Sequence, residues 1–242
     1  YLYNLTKYNK ILEQRNNLFQ KIIALFRIYL YNLTKYNKIL EQRNNLLKQI
    51  VSDARLAETL LVWNEQLVKY GSEVIRARKA FVGELNSLVG PVHSRLCGGR
   101  EELKLCYEPN IKEDDFLEAL SRDKEKELIL KSTLHGPHRD DISFCLDGED
   151  IRKFGSQGQQ RTSALSLKLA EIELVKRKIR DDPVLLLDDV LSELDRNRQT
   201  QLLDSIKDIQ TIITCTGLEE FVKERICSDR IYHVVQGSIQ PE

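Results

Sequence analysis

The sequence predicts an α/β fold: a layer of parallel strands and helices, preceded by a mainly helical arm. Three observations carry that expectation. From Phe154 onward the patterns run loop, helix, strand, helix, strand, helix, strand, the alternation that builds a parallel sheet. Val184–Leu187 is a short, unbroken apolar run, as a strand buried on both faces requires. No glycine or proline occurs before Gly71, and apolar residues there recur at steps of three and four, the spacing of a helical hairpin or short coiled coil.

The arm is expected over residues 1–128 and the α/β lobe over 129–242. The arm opens on a repeat: the 18 residues Tyr1–Leu18 recur letter for letter at Tyr29–Leu46. Old repeats diverge, because each copy needs to keep only its apolar pattern. Perfect identity therefore marks residues 1–28 as a duplicated or artefactual segment. The seam Leu33, Tyr36, Leu40, Leu47, Ile50, Ala54, Ala57, Leu61 and Val68 is interrupted by Arg43 and Asn64. Ser52-Asp53 is placed to cap a second helix running to about Leu88, and Gly90-Pro91 to end the helical region. The single Trp63 reads as packing.

Charge is balanced overall, with 37 Lys plus Arg against 37 Asp plus Glu, which excludes a uniformly basic nucleic-acid binder. It is not balanced locally. Residues 1–50 hold nine basic and two acidic side chains, a net +7, with tyrosine and asparagine interleaved. Such a helical face can neutralise phosphates. Lys35, Lys38 and Arg43 are the candidate DNA contacts; the plain alternative is a solvated helix face. Five cysteines without paired spacing, no signal-peptide opening and no apolar run near the ~18 residues of a membrane helix point to a reducing, cytoplasmic location. The chain has no methionine, so it is expected to be part of a longer protein.

Beyond Pro91 the texture changes. Glu102–Pro109 alternates like a strand, residues 111–128 read as a charged helix, and Asp141–Ile151 reads as two short strands joined at Asp147-Gly148. His93, Cys97 and Cys106 have irregular spacing that does not make a zinc pattern. His135 and His138 flank Gly136-Pro137 in what reads as a polar turn.

Two stretches carry chemistry. The apolar strand ends in Asp188 and Asp189. Ligands of open α/β sheets sit beyond such strand ends. One acid there can hold a magnesium ion that bridges nucleotide phosphates, and a second can position or deprotonate water. The alternative is a solvated pair of acids. The other stretch is Gly155-Ser156-Gln157-Gly158 before an amphipathic helix. A helix N-terminus offers N–H groups and a positive dipole end to a phosphate. The alternative is an ordinary N-cap loop.

Taken together, Gly155–Arg161, Val184–Asp189 and Ser192–Asp195 resemble the ABC-type (P-loop NTPase) ATPase head. Ser156–Gln160 is similar to the signature motif, Asp188 to the Walker B aspartate, and Ser192–Asp195 to the D-loop. Asp189 stands where that family has a catalytic glutamate. Thr133–Ile142 and the segment Leu30–Asn44 extend the resemblance to the RecF family of SMC-like proteins. No GxxxxGK[ST] occurs in the chain, so the phosphate-cradling loop of that family is absent.

The resemblance implies the C-terminal lobe of an ABC-type head carrying a helical arm. It implies ATP and Mg2+ as cofactors, with Ser156, Gln157, Gly158 and Gln159 meeting the γ-phosphate across an ATP-dependent homodimer. Asp195 would lie at that interface. It further implies DNA binding at single-strand gaps or junctions, with RecR, RecO and RecA as partners and no membrane contact. Cys215 occupies the place of the family's switch histidine, which implies slow hydrolysis. The rival readings are an SMC-type dimerisation head without DNA recognition and a plain helical interaction protein.

Overall fold

The computed structural model describes residues 27–179, 184–191, 194–215, 230–235 and 237–241. The copy of the repeat at 1–18, Ser192, Glu193 and the expected helix between the last strands lie outside these residues.

Residues 27–50 form a helix, α1, as the run without glycine or proline predicts. Its inner face is Tyr36, Ile39, Leu46, Leu47 and Ile50. The second helix does not start at Asp53. Asp53 instead accepts a hydrogen bond from the Arg55 N–H at 3.1 Å and caps a 3-10 segment, Ala54–Thr59. That segment turns at three residues per turn and resets the phase of the seam. Leu60 and Leu67 are buried beyond it, whereas the expected Leu61 is exposed.

Helix α2 then runs from Leu60 to Cys97, straight through Gly90-Pro91. Proline removes one intrahelical donor. Burial of Leu88, Val89, Val92 and Leu96 on both sides of it holds the helix together, an example of packing overriding local propensity. The helix stops where Gly98 turns left-handed at φ 67° and its N–H bonds back to the Ser94 carbonyl.

Strand β1 is Leu103–Glu108. The charged segment after it divides into α3 (Phe116–Arg122) and α4 (Lys124–Leu130), with Asp123 between them. Strand β2 (Asp141–Leu146) pairs antiparallel with β1 and with the two-residue β3 (Glu149–Asp150). The turn between them is the expected Asp147-Gly148, both at positive φ (50° and 90°), as a two-residue hairpin demands. The β1–β2 ladder joins residues on both sides of position 128.

Helices α5 (Ile151–Phe154) and α6 (Gln157–Ile179) follow, then β4 (Leu185–Asp188), α7 (Arg196–Ser205) and β5 (Thr211–Thr214). Strands β4 and β5 pair in parallel. The last strand does not join them: β6 (Tyr232–Val235) pairs antiparallel with β7 (Ser238–Pro241).

One hydrophobic cluster unites the second half of α2 with β1, β2, α6, β4 and α7, through Leu85, Leu88, Leu105, Leu169, Leu187 and Leu202 among others. Helices α2 and α6 come close because α6 presents buried small residues, Thr162, Ser163, Ser166 and Ala170. A second cluster joins α1, α2 and α3 through Tyr36, Leu67, Ile75 and Phe116. Gly71 makes that packing possible: a Cβ there would lie 2.6 Å from the Phe116 ring and 3.0 Å from that of Tyr36.

Candidate nucleotide and DNA site

The acids at the strand end are set by register. Pairing puts Asp188 opposite Thr214. The Thr214 hydroxyl donates to Asp188 Oδ1. The Asp189 N–H donates to the Thr214 carbonyl at 3.0 Å and lies 3.2 Å from its hydroxyl oxygen. Asp189 is left-handed (φ 52°), a conformation aspartate tolerates better than most residues and one that ends the strand sharply. Both carboxylates are exposed, and Cys215 follows half-buried. Oxygen donors of this kind suit a hard cation such as Mg2+, and the Thr214 bond orients one oxygen of Asp188.

The strand beneath them is not buried on both faces. Leu185 and Leu187 point into the core, but Leu186 is 69% exposed and its neighbour across the pair, Ile212, 56%. Val184 is also exposed. The apolar run reports a face that nothing among the described residues covers.

The signature-like turn is built by reciprocal capping. The Ser156 N–H donates to Gln159 Oε1 at 2.8 Å, and the Gln159 N–H donates to Ser156 Oγ at 3.2 Å. This capping box fixes the N-terminus of the 23-residue α6. The Ser156 hydroxyl keeps its own proton to donate outward. Gln157 is exposed on the first turn. A Cβ on Gly155 would sit 2.6 Å from the Ile151 carbonyl oxygen, so the short link from α5 needs a bare residue. Gln160 Nε2 donates to the Ile151 and Gly155 carbonyls and closes the loop from behind.

Asp195 caps α7, accepting from the Arg198 N–H at 3.0 Å, and its Oδ2 lies 3.4 Å from Arg198 Nη1. The same Arg198 Nη1 lies 3.1 Å from where a Gly158 Cβ would be. One guanidinium thus brings Asp195 to the first turn of α6. Sequence reasoning missed Arg198, and also Glu101, whose Oε1 accepts from Gln159 Nε2 at 3.0 Å. Neither stands in a motif; each is found only once the chain is folded.

Of the basic candidates, Lys35 and Lys38 are exposed on α1, and Lys35 Nζ lies 5.6 Å from the Tyr31 ring centroid. Arg43 is a correction. Its side chain is fully buried and donates to Glu127 Oε2 at 2.5 Å, Thr133 Oγ1 at 2.7 Å and Asn64 Oδ1 at 2.8 Å. The two residues that interrupt the seam meet each other in the interior, so Arg43 has no charge to offer DNA. The histidine turn is also internal: His138 Nδ1 accepts from the Tyr36 hydroxyl at 2.6 Å, and Nε2 faces the Thr133 carbonyl at 3.2 Å. Burial holds the His138 pKa below its ordinary value and pushes that of Tyr36 up. No helix among the described residues is long and apolar enough to cross a membrane.

No family model matches the chain. It is 56% identical over 240 residues to the DNA replication and repair protein RecF of Lachnoclostridium phytofermentans, covering 99% of this chain and 59% of that protein. It is likewise 56% identical over 240 residues to the protein of the same name from Agathobacter rectalis, with the same coverage. Among solved structures, the recombination mediator protein RecF with ATP, of the RecFOR pathway, superposes with a TM-score of 0.79 at 30% identity, over 95% of this chain and 62% of that one. The chain spans about 59% of the curated relatives named here. Its fold class is accordingly α/β, a lobe of an ABC-type head with a helical arm.

Proposed function

We propose, from its similarity to RecF proteins over 99% of the sequence and, in fold, over 95% of the chain, that it forms the C-terminal lobe and helical arm of an ATP-dependent DNA-binding recombination mediator. The protein acts at single-strand gaps, with RecR, RecO and RecA as partners, in the cytoplasm. Residues 1–128 serve as the arm and 129–242 as the lobe. The shared β1–β2 ladder makes that a division of roles rather than of separately folding units.

The observation that carries this reading is Arg198, held by Asp195 and lying against Gly158 at the start of α6. It ties the signature-like turn and the D-loop acid into one phosphate-seeking surface. Ser156, Gln157, Gly158 and Gln159 lie on its first turn. There the Ser156 hydroxyl and the dipole end of α6 are available to a γ-phosphate held by a second copy of the protein. Asp195 stands at the same edge and contributes to the contact between copies. Asp188, oriented by Thr214, holds Mg2+, and Asp189 positions water or takes its proton. Mg2+ supplies charge neutralisation to the nucleotide phosphates when bound. Cys215 stands after β5 where the family's switch histidine would be, which favours slow turnover and the use of nucleotide as a clamp between heads.

The test is ATP turnover by a full-length RecF-family protein carrying these residues, with and without gapped duplex DNA. Slow hydrolysis raised by DNA, lost in Asp189→Asn, and nucleotide-dependent dimerisation lost in Ser156→Arg are the expected results. Turnover unchanged by Asp189→Asn, or dimerisation that survives Ser156→Arg, overturns the assignment. Turnover indifferent to DNA replaces it with the SMC-type dimerisation head.

A further inference from the structure

Next to the signature-like turn, α2 ends in a cluster that the nucleotide reading does not use. His93 and Cys97 are four residues apart on one helix face. The left-handed Gly98 and Gly99 (φ 67° and 73°) then turn the chain so that Glu101 returns to the same spot. The ligand atoms of His93, Cys97 and Glu101 all lie within 4.8 Å of one another, the only such grouping of His, Cys, Asp or Glu side chains among the described residues.

The hydrogen bonds fix which atoms face inward. The Ser166 hydroxyl donates its proton to the Thr162 carbonyl at 2.7 Å. It therefore accepts from His93 Nδ1–H at 2.8 Å. That leaves Nε2 of a fully buried imidazole carrying a lone pair, with no hydrogen-bond partner, aimed at Glu101 Oε2 at 3.4 Å. Glu101 Oε2 is likewise buried and without a hydrogen-bond partner. With the ring in this tautomer, the two facing lone pairs make a place for a cation between them.

We propose that His93 Nε2, Cys97 Sγ and Glu101 Oε2 bind a divalent transition-metal ion of the zinc class. Two ligands each about 2.1 Å from a tetrahedral ion stand about 3.4 Å apart, which is the separation of Nε2 and Oε2. Cys97 Sγ now donates to the His93 carbonyl at 2.8 Å; on binding, the thiol releases that proton to solvent and the thiolate becomes the third ligand. One thiolate and one carboxylate neutralise a divalent charge, which suits a site with a buried wall. The fourth position is left to water. Outer contacts of the usual kind are present: Ser166 orients the imidazole through Nδ1–H, and Gln159 holds the second carboxylate oxygen of Glu101. The site is independent of nucleotide, but a metal there would lock Glu101 and, through it, the Gln159 end of the capping box.

The test is metal binding by the untagged chain. We expect a single equivalent of Zn2+ retained through dialysis. Co2+ should give tetrahedral visible bands with a thiolate charge-transfer band. Cys97→Ser should abolish the charge-transfer band, and Glu101→Gln should weaken binding by about tenfold or more, in the range of losses for metal-site residues. The Cys106→Ser/Cys145→Ser double variant should bind as the original does. Far-UV circular dichroism checks that each variant folds. Independently of any variant, Zn2+ should shift the His93 Nε2 resonance in 15N spectra of the unaltered chain. Substoichiometric metal without a Co2+ spectrum overturns the proposal, as do binding that survives both Cys97→Ser and Glu101→Gln, and a His93 Nε2 resonance that Zn2+ does not move.

Discussion

Arg43→Ala separates a structural arginine from a DNA contact. The Arg43 and Glu127 side chains are both fully buried. Removing the guanidinium leaves the Glu127 carboxyl group in the interior with the Leu134 N–H at 2.7 Å as its remaining hydrogen bond. Asn64 and Thr133 lose a donor as well. Breaking a buried pair from one side costs about 3–5 kcal/mol, against a total of about 5–15 kcal/mol for a domain. With a urea slope of about 1–3 kcal/mol per molar, the unfolding midpoint should fall by roughly 1–5 M. Arg43→Met combined with Glu127→Leu should recover most of that loss, because no unpaired charge is left behind. Urea melts followed by circular dichroism, arranged as a double-mutant cycle, give the coupling directly. A loss below about 1 kcal/mol, the size expected of an exposed pair, would refute the burial argument. So would a double variant that costs the sum of the single ones.

Three further outcomes are expected. Gly71→Ala should destabilise by about 1–3 kcal/mol through overpacking against Phe116 and Tyr36. Gly83→Ala in the same helix, where a Cβ meets nothing within 4 Å, should stabilise by up to about 1 kcal/mol; thermal melts of the pair decide. Lys126, then His135 and Arg122, hold the Asp123 carboxyl well below the usual carboxylate range. A lowered folded-state pKa gives stability that is present at neutral pH and lost as pH falls below the unfolded value of about 3.9, so Asp123→Asn should flatten the acid limb of a stability–pH curve. Lys35→Glu with Lys38→Glu should leave the melting temperature unchanged and reduce the salt slope of DNA binding by about 2, one for each lost phosphate contact; an unchanged slope removes α1 from the DNA surface.

What the sequence made legible was local. The alternation of Glu102–Pro109 and the Asp147-Gly148 turn each depend on residues within a few positions, and each formed where expected. The helical seam was readable up to Ile50 and lost its phase afterwards, because a 3-10 segment counts three residues to the turn where the heptad assumes more. Pro91 looked like a stop because its cost is local, while the apolar contacts that overrule it come from elements far along the chain. Arg43 looked like surface because its partners Glu127 and Thr133 are 84 and 90 residues away. At the candidate site, the motif residues were visible as words, but Glu101 and Arg198, which hold those words in place, belong to no pattern and arrive from a helix end and a cap.

The Arg43 network also sets a clock for synthesis. The helix that carries Arg43 leaves the ribosome before its partners: Glu127 and Thr133 follow 84 and 90 residues later. At about 5–20 residues per second, that interval is on the order of ten seconds. Until it ends, α1 can dock its apolar residues against Leu60, Leu67 and Ile75, but the Arg43 charge on that face has neither Glu127 nor Thr133 to meet it. The late step in completing this part of the fold is therefore the closing of a charge network, not the covering of an apolar face.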